Sequence, residues 1–250
     1  MLGLFKHKKK QDKTSLIRNF SDLIVDMHSH LLPGIDDGVK SVEESIELIK
    51  KYKELLFKKL IITPHINSDY YKNTKEIIQN KLEELKEAVE KNGIDIQLDF
   101  AAEYMVDNGF RKMIDKKDLL TINGNYVLIE LQSTNEPLYF NDIVFDLQIA
   151  GYKVILAHPE RYVFWHSNFK KYEELKERNV YFQVNAVSLS GFYSHNIQTV
   201  ANKLIENNFI DFIGSDVHNQ NYMDYLESSM NSKYLTILLS SGLLINNTLF

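Results

Sequence analysis

The sequence predicts an α/β fold built on parallel strands, as an open sheet or a barrel, and three observations carry that prediction. Short apolar runs alternate with longer amphipathic segments along most of the chain. A parallel sheet covered by helices is the layered architecture that such alternation builds. The chain has 250 residues, 44% of them hydrophobic, and no proline- or glycine-rich linker divides it, so one large core is expected. Finally, nearly every apolar run ends in a histidine, an aspartate or a glutamate.

The elements follow in order. LIVDM (23–27) reads as the first strand. SVEESIELIKKYKELLF (41–57) reads as a helix, opened by a capping box of Ser41 and Glu44. KLIIT (59–63) is the second strand, and NTKEIIQNKLEELKEAVEKNG (73–93) is a helix that Gly93 ends. IQLDFAA, YVLIE, KVILA, VYFQV and FIDFIG complete a set of seven strand candidates. Helices are expected around 139–150, 168–178, 196–207 and 221–240. One domain is expected over 21–250, behind a basic leader over 1–20 that reads as a solvated tail.

Composition excludes several functions. A net charge of −5 argues against a surface that coats nucleic acid. The absence of cysteine removes disulfides, thiolate metal sites and cysteine nucleophiles together. No apolar run approaches the roughly 18 residues a membrane span needs, and no apolar segment follows the basic N-terminus as in a signal peptide. A soluble, cytoplasmic protein is expected.

The run-end residues are the chemistry. The first strand leads into His28 and His30, the second into His65, the third into Glu103 and the fourth into Glu130. The fifth ends at His158 and the seventh at Asp216 and His218, while YFQVN offers only Asn185. Parallel strands bring their C-terminal ends to one face, so these residues would meet in one pocket. Singly, each reads as readily as a hydrogen-bonded structural group or a salt-bridge partner. Their recurrence over six strands points instead to a metal site. Nitrogen and oxygen donors without sulfur suit Mn²⁺, Fe, Zn²⁺ or Mg²⁺. More donors are present than one ion needs, and paired ions are a recurring device of phosphate-ester hydrolysis.

Three other places carry alternatives. Asp36 and Asp37 before Gly38 read as a turn, or one of them as a ligand or general acid. Arg161 in HPERY reads as a salt-bridge partner, or as a clamp on phosphate oxygens. RYVFW, continuing from Arg161, reads as packing rather than as an aromatic substrate pocket. His7, His166 and His195 end no apolar run and are assigned to loops or surface.

HSH followed by DDG, TPH, AAE, LIE, HPER and SDVH, in that order from residue 22 onward, resembles the PHP (polymerase and histidinol phosphatase) superfamily. More narrowly, the motifs resemble its bacterial protein-tyrosine phosphatases of capsule and exopolysaccharide synthesis, the CpsB/YwqE type. The resemblance implies a distorted seven-stranded (β/α) barrel with a metal cluster at the strand ends, holding two to three divalent ions, manganese first. By motif, His28, His30, Glu103 and Asp216 would hold one metal and Glu103, Glu130 and His158 a second. Asp37, His65 and His218 would hold the third. Arg161 matches the family's phosphate-binding arginine, and Asp37 is also its candidate proton donor to the leaving tyrosyl oxygen. A second phosphate arginine of some relatives has no counterpart near His218.

The implied reaction is direct hydrolysis of phosphotyrosine, without a phosphoenzyme, on the tail of a membrane-associated bacterial tyrosine kinase. That partner would bring the protein to the inner face of the membrane, and a homo-oligomer is compatible with the clustered tails. The alternatives are a small-molecule phosphatase of the same superfamily, such as one for histidinol phosphate, a polymerase-associated or nuclease module, and a metal-bound regulatory module without turnover.

Overall fold

The computed structural model describes residues 19–250, so the basic leader and His7 lie, but for residues 19 and 20, outside the described residues. Nine short strands and eight α-helices alternate along them. The strands are β1 (Val25–Asp26), β2 (Lys59–Ile62), β3 (His65–Ile66), β4 (Gln97–Phe100) and β5 (Glu103–Met105). They continue as β6 (Tyr126–Glu130), β7 (Lys153–Ala157), β8 (Tyr181–Asn185) and β9 (Phe212–Gly214).

All strand pairs are parallel, in one sheet of order β1-β2-β4 and a second of order β3-β5-β6-β7-β8-β9. Each of the seven expected strands is present. The count rises to nine because the second run breaks at Thr63–Pro64 and the third at Ala101–Ala102. Beyond each break the chain resumes as a second strand, and His65 then pairs in register with Glu103. Proline lacks the N–H that an unbroken ladder would use.

The segments that follow β1 and β9 lie side by side. Ser29 and Val217 form a parallel bridge, and Asp216 N–H donates to His28 O at 2.8 Å. At the opposite end of this seam Asn246 donates to Val25 O and accepts from Ile213 N–H.

The helices are α1 (Val42–Glu54), α2 (Lys75–Lys91), α3 (Phe110–Lys116), α4 (Phe140–Ile149), α5 (Lys170–Glu177), α6 (His195–Glu206), α7 (Gln220–Ser229) and α8 (Lys233–Ser240). Ser41 caps α1 by accepting from Glu44 N–H, while Glu44 reaches back to Lys40 N–H rather than to Ser41. Gly93 follows α2 at φ +65°, the left-handed conformation a helix end commonly needs. The single helix expected over 221–240 is two, because Ser232 accepts from Tyr234 N–H and starts α8 afresh.

Strand alternation sorts the apolar residues into two cores. Val127, Ile129, Val154, Leu156, Phe182 and Val184 face the helices in the larger one. Leu128, Ile155, Ala157 and Phe212 join Val25, Met27 and Ile61 in a smaller one. Glu130 lies two residues beyond Leu128 on the same strand, and a two-residue step keeps it on Leu128's face. A polar layer therefore succeeds the small apolar core at the strands' C-terminal ends.

Candidate metal centre

His28 and His30 follow β1 and are fully buried. His28 Nδ1 lies 2.8 Å from Gln183 Oε1, and His30 Nδ1 lies 2.8 Å from Asp36 Oδ2. Both partners are acceptors, so each Nδ1 carries the proton and each Nε2 keeps a lone pair. His218 is set the same way, with Nδ1 donating to Asp216 O at 2.8 Å. The bare Nε2 atoms of His28 and His30 then face each other at 3.3 Å. Two lone pairs at that distance repel unless positive charge lies beside them.

The carboxylates surround these nitrogens. Glu103, buried at the start of β5, has Oε2 3.2 Å from His28 Nε2, 3.4 Å from His30 Nε2 and 3.1 Å from His65 Nδ1. Its other oxygen is 2.9 Å from His158 Nε2. Glu130 Oε1 is 3.0 Å from His65 Nδ1. Asp216 Oδ1 sits 3.4 Å from both His28 Nε2 and His30 Nε2. Asp37 Oδ1 is 3.3 Å from His65 Nε2 and 3.5 Å from His218 Nε2.

All nine predicted ligands thus lie in one connected cluster. Three groups of donor atoms are tight enough to share an ion: His30, Asp37, His65 and His218; His28, His30 and Glu103; and His65, Glu103 and Glu130. His30, His65 and Glu103 each belong to two groups, whereas the motif assignment shares Glu103 alone. His158 and Asp216 stand outside these groups and touch them through Glu103 and the His28–His30 pair.

Several buried polar atoms lack any hydrogen-bonded partner, among them Glu103 Oε2, His65 Nδ1 and His158 Nδ1. Leaving such atoms unpaired is costly, and a cation would satisfy the first two. Burial alone would push the Glu103 carboxyl up, yet His28 and His65 hold it well below the usual carboxylate range. Burial disfavours a charged His65, but Glu103 and Glu130 raise its pKa well above the ordinary value. The cluster draws positive charge inward, and a divalent ion supplies it while leaving the imidazoles neutral. The residues fit the group.

The backbone cooperates. His158, the residue after β7, and Asp216, two residues after β9, both have positive φ, +34° and +56°. Non-glycine residues adopt this region rarely, and such outliers gather at functional sites. Gly214, the last residue of β9, is required by close approach: a Cβ there would lie 2.6 Å from His28 Cβ.

The two adjacent aspartates divide their work. Asp36 is buried, orients His30 and accepts from Gly38 N–H and His65 N–H. Asp37 is half exposed and faces the cluster. Arg161 combines both readings of its role. Its Nη1 donates to Asp216 Oδ2 at 3.1 Å, its guanidinium lies 4.6 Å from the Tyr193 ring centre, and it still lines the open cavity. Asn185 is no ligand in this arrangement: its Oδ1 accepts from Gln183 Nε2 at 2.8 Å, and its Nδ2 donates to Asp216 Oδ2 at 2.6 Å.

The cavity above the cluster holds about 300 Å³ and is lined by Asp37, His65, Glu130, Arg161, Asp216 and His218. Tyr70, Tyr71 and Tyr222 complete its wall. Of RYVFW, Tyr162 and Trp165 are buried in the larger core, as the packing reading expects. His166 Nε2 donates to Glu160 O at 2.8 Å, and His195 opens α6, both away from the cluster contacts.

Sequence reasoning passed over Gln183, Tyr193 and Tyr222. The only signal for Gln183 was its polarity inside an apolar run; the tyrosines gave none.

A family profile described as "Capsular polysaccharide synthesis, CpsB/CapC" matches residues 24–235. The chain belongs to the CpsB/CapC family. CapC of Staphylococcus aureus is 35% identical over 196 residues, covering 78% of this chain and 77% of CapC. Tyrosine-protein phosphatase YwqE of Bacillus subtilis is 29% identical over 238 residues, covering 91% of this chain and 94% of YwqE. The structure resembles one from a study of YwqE and of CpsB from Streptococcus pneumoniae, described as unique metal-dependent tyrosine phosphatases. That match has a TM-score of 0.75 at 28% identity and covers 84% of this chain and 89% of the other. The family's breadth of coverage takes in every residue of the cluster, from His28 to His218.

Proposed function

We propose that the protein is a metal-dependent protein-tyrosine phosphatase of capsular or exopolysaccharide synthesis. One observation carries the reading: nine histidine and carboxylate side chains converge beneath a cavity that Arg161 also lines, in a family whose YwqE and CpsB members are tyrosine phosphatases. The domain is assigned to 21–250. Its two sheets are read as one distorted seven-stranded barrel, in which β2 with β3 and β4 with β5 are interrupted strands.

Two or three divalent ions, manganese first, would be held by His28, His30, Glu103 and Asp216, by Glu103, Glu130 and His158, and by Asp37, His65 and His218. When bound, such ions supply an activated water and neutralise phosphoryl charge. The chain's own groups do the rest. Gln183, Asp36 and the Asp216 carbonyl fix the tautomers that leave Nε2 free on His28, His30 and His218. Asp216 and Tyr193 hold Arg161 at the cavity wall, where phosphoryl oxygens would accept from its remaining N–H groups.

Asp37 is assigned as a ligand rather than as the proton donor. Its Oδ1 faces His65 Nε2 at 3.3 Å and His218 Nε2 at 3.5 Å, the donor set of the third ion. A carboxylate engaged by a divalent ion is ionised and carries no proton to give the leaving oxygen. A tyrosyl oxygen, of pKa about 10, departs with modest assistance.

The substrate is assigned as the phosphotyrosine tail of a membrane-associated bacterial tyrosine kinase, which places the protein in the cytoplasm at the membrane's inner face. No helix among the described residues is long and apolar enough to cross a membrane. The test is phosphate release from a phosphotyrosyl peptide by metal-stripped protein with and without Mn²⁺. Mn²⁺-dependent release supports the reading. No release at confirmed metal occupancy overturns it.

A further inference from the structure

Four tyrosines stand around the cluster, and three are committed. Tyr71 stacks on His65 at 5.6 Å and 16°, Tyr222 lies 4.9 Å from His218, and Tyr193 lies under Arg161. Tyr70 differs. Its side chain is 84% exposed, it pairs with no ring among the described residues, and it still lines the cavity that holds Arg161.

Its loop is firmly built. Asn67 Oδ1 accepts from the N–H groups of Asp69, Tyr70 and Tyr71 at 3.2, 2.6 and 3.1 Å, and Asn67 N–H donates to Tyr71 O. Ser68 ties the turn to Asp107 Oδ2 through both its N–H and its hydroxyl, each at 2.7 Å. Such a turn fixes the backbone of Tyr70 while its ring remains in solvent. Presenting an aromatic face at low conformational cost is a recurring device of recognition.

We propose that Tyr70 is the platform on which the ring of a phosphotyrosyl side chain stacks once its phosphate reaches Arg161. This rests on the phosphotyrosine reading above and names the residue that selects for the aryl group. A phosphotyrosyl phosphate lies one ring's length beyond its β-carbon, so a phosphate seated in the cavity leaves its ring at the mouth. A phosphoseryl side chain has no ring to place there.

The test uses the Mn²⁺-loaded 250-residue chain and a peptide bearing a non-hydrolysable phosphonate analogue of phosphotyrosine, with binding read by calorimetry. Tyr70→Ala is expected to raise Kd about 2- to 13-fold, the range for one aromatic pair. Tyr70→Phe is expected to keep the wild-type Kd, and inorganic phosphate is expected to bind all three proteins alike. An unchanged Kd in Tyr70→Ala overturns the proposal. So does equal loss in Tyr70→Phe, or parallel loss of inorganic phosphate binding, which would mark the loop rather than the ring. Turnover of a phosphotyrosyl peptide is measured beside it: tight, Tyr70-dependent binding without turnover overturns the phosphatase reading and leaves the platform standing.

Discussion

Replacing Gln183 by leucine tests whether the centre depends on the residues behind its ligands. Gln183 is buried; its Oε1 accepts from His28 Nδ1 at 2.8 Å and from His158 N–H at 3.4 Å, and its Nε2 donates to Asn185 Oδ1 at 2.8 Å. Leucine has similar bulk but no polar atom, so His28 Nδ1–H and Asn185 Oδ1 are both left without that partner. Each unsatisfied buried group costs about 1–3 kcal/mol. A total of about 3 kcal/mol lowers Tm by roughly 6–12 °C in a domain of this size. Without its acceptor the His28 ring also loses its fixed tautomer, and loss of such a partner weakens metal binding about 10- to 100-fold. Calorimetric titration of the metal-free protein with Mn²⁺ reads the second effect, and thermal unfolding reads the first. Gln183→Glu keeps an acceptor for His28 and is expected to retain most of the affinity. An affinity in Gln183→Leu within twofold of wild type would refute the reasoning.

Gly214→Ala places a methyl 2.6 Å from His28 Cβ and 2.9 Å from Gln183 Nε2, so overpacking of about 1–3 kcal/mol is expected, visible as a lowered urea midpoint. Arg161→Lys keeps the charge but loses the planar fork, and kcat/KM for a phosphotyrosyl peptide is expected to fall about 10²-fold with metal content unchanged; altered metal stoichiometry would count against the phosphate role. Burial raises the Glu160 carboxyl from 4.5 to about 7. The folded state therefore holds this proton more tightly than the unfolded chain, and the associated stability is complete below pH 4.5 and is lost as pH rises through 7. Between pH 5 and 8 the metal-free wild type is expected to lose about 2.5 kcal/mol more stability than Glu160→Gln; parallel curves would show that the carboxyl does not titrate this way.

Much of the centre could be read from the chain because its signals are local. An apolar run ending in His65, Glu130 or His158 shows itself within a handful of residues, and parallel strands then bring such ends together without further information. The same holds for the helix boundaries at Ser41 and Gly93, where one side chain or one positive φ suffices. Reading 221–240 as one helix missed Ser232 because a cap in mid-pattern competes with apolar spacing that continues across it. Helix α3 was missed outright: seven residues are too few for periodicity to register.

The division between Asp36 and Asp37 shows where sequence stops. The two are adjacent and chemically identical, and only the folded loop turns one under His30 and the other toward His65 and His218. Gln183 acts on a histidine 155 positions away, and Asn185 and Tyr193 reach Asp216 across 31 and 23. By itself, then, the sequence determined the strand–helix alternation, the eight ligand candidates at the ends of apolar runs and the candidate Arg161, because each is a property of a residue and its near neighbours; Asp37 rested on the motif resemblance. The tertiary structure alone decided which donors face one another, which groups orient them, and which tyrosine stays free at the cavity mouth. Those are matters of distance in space, set by packing between segments that the chain order keeps apart.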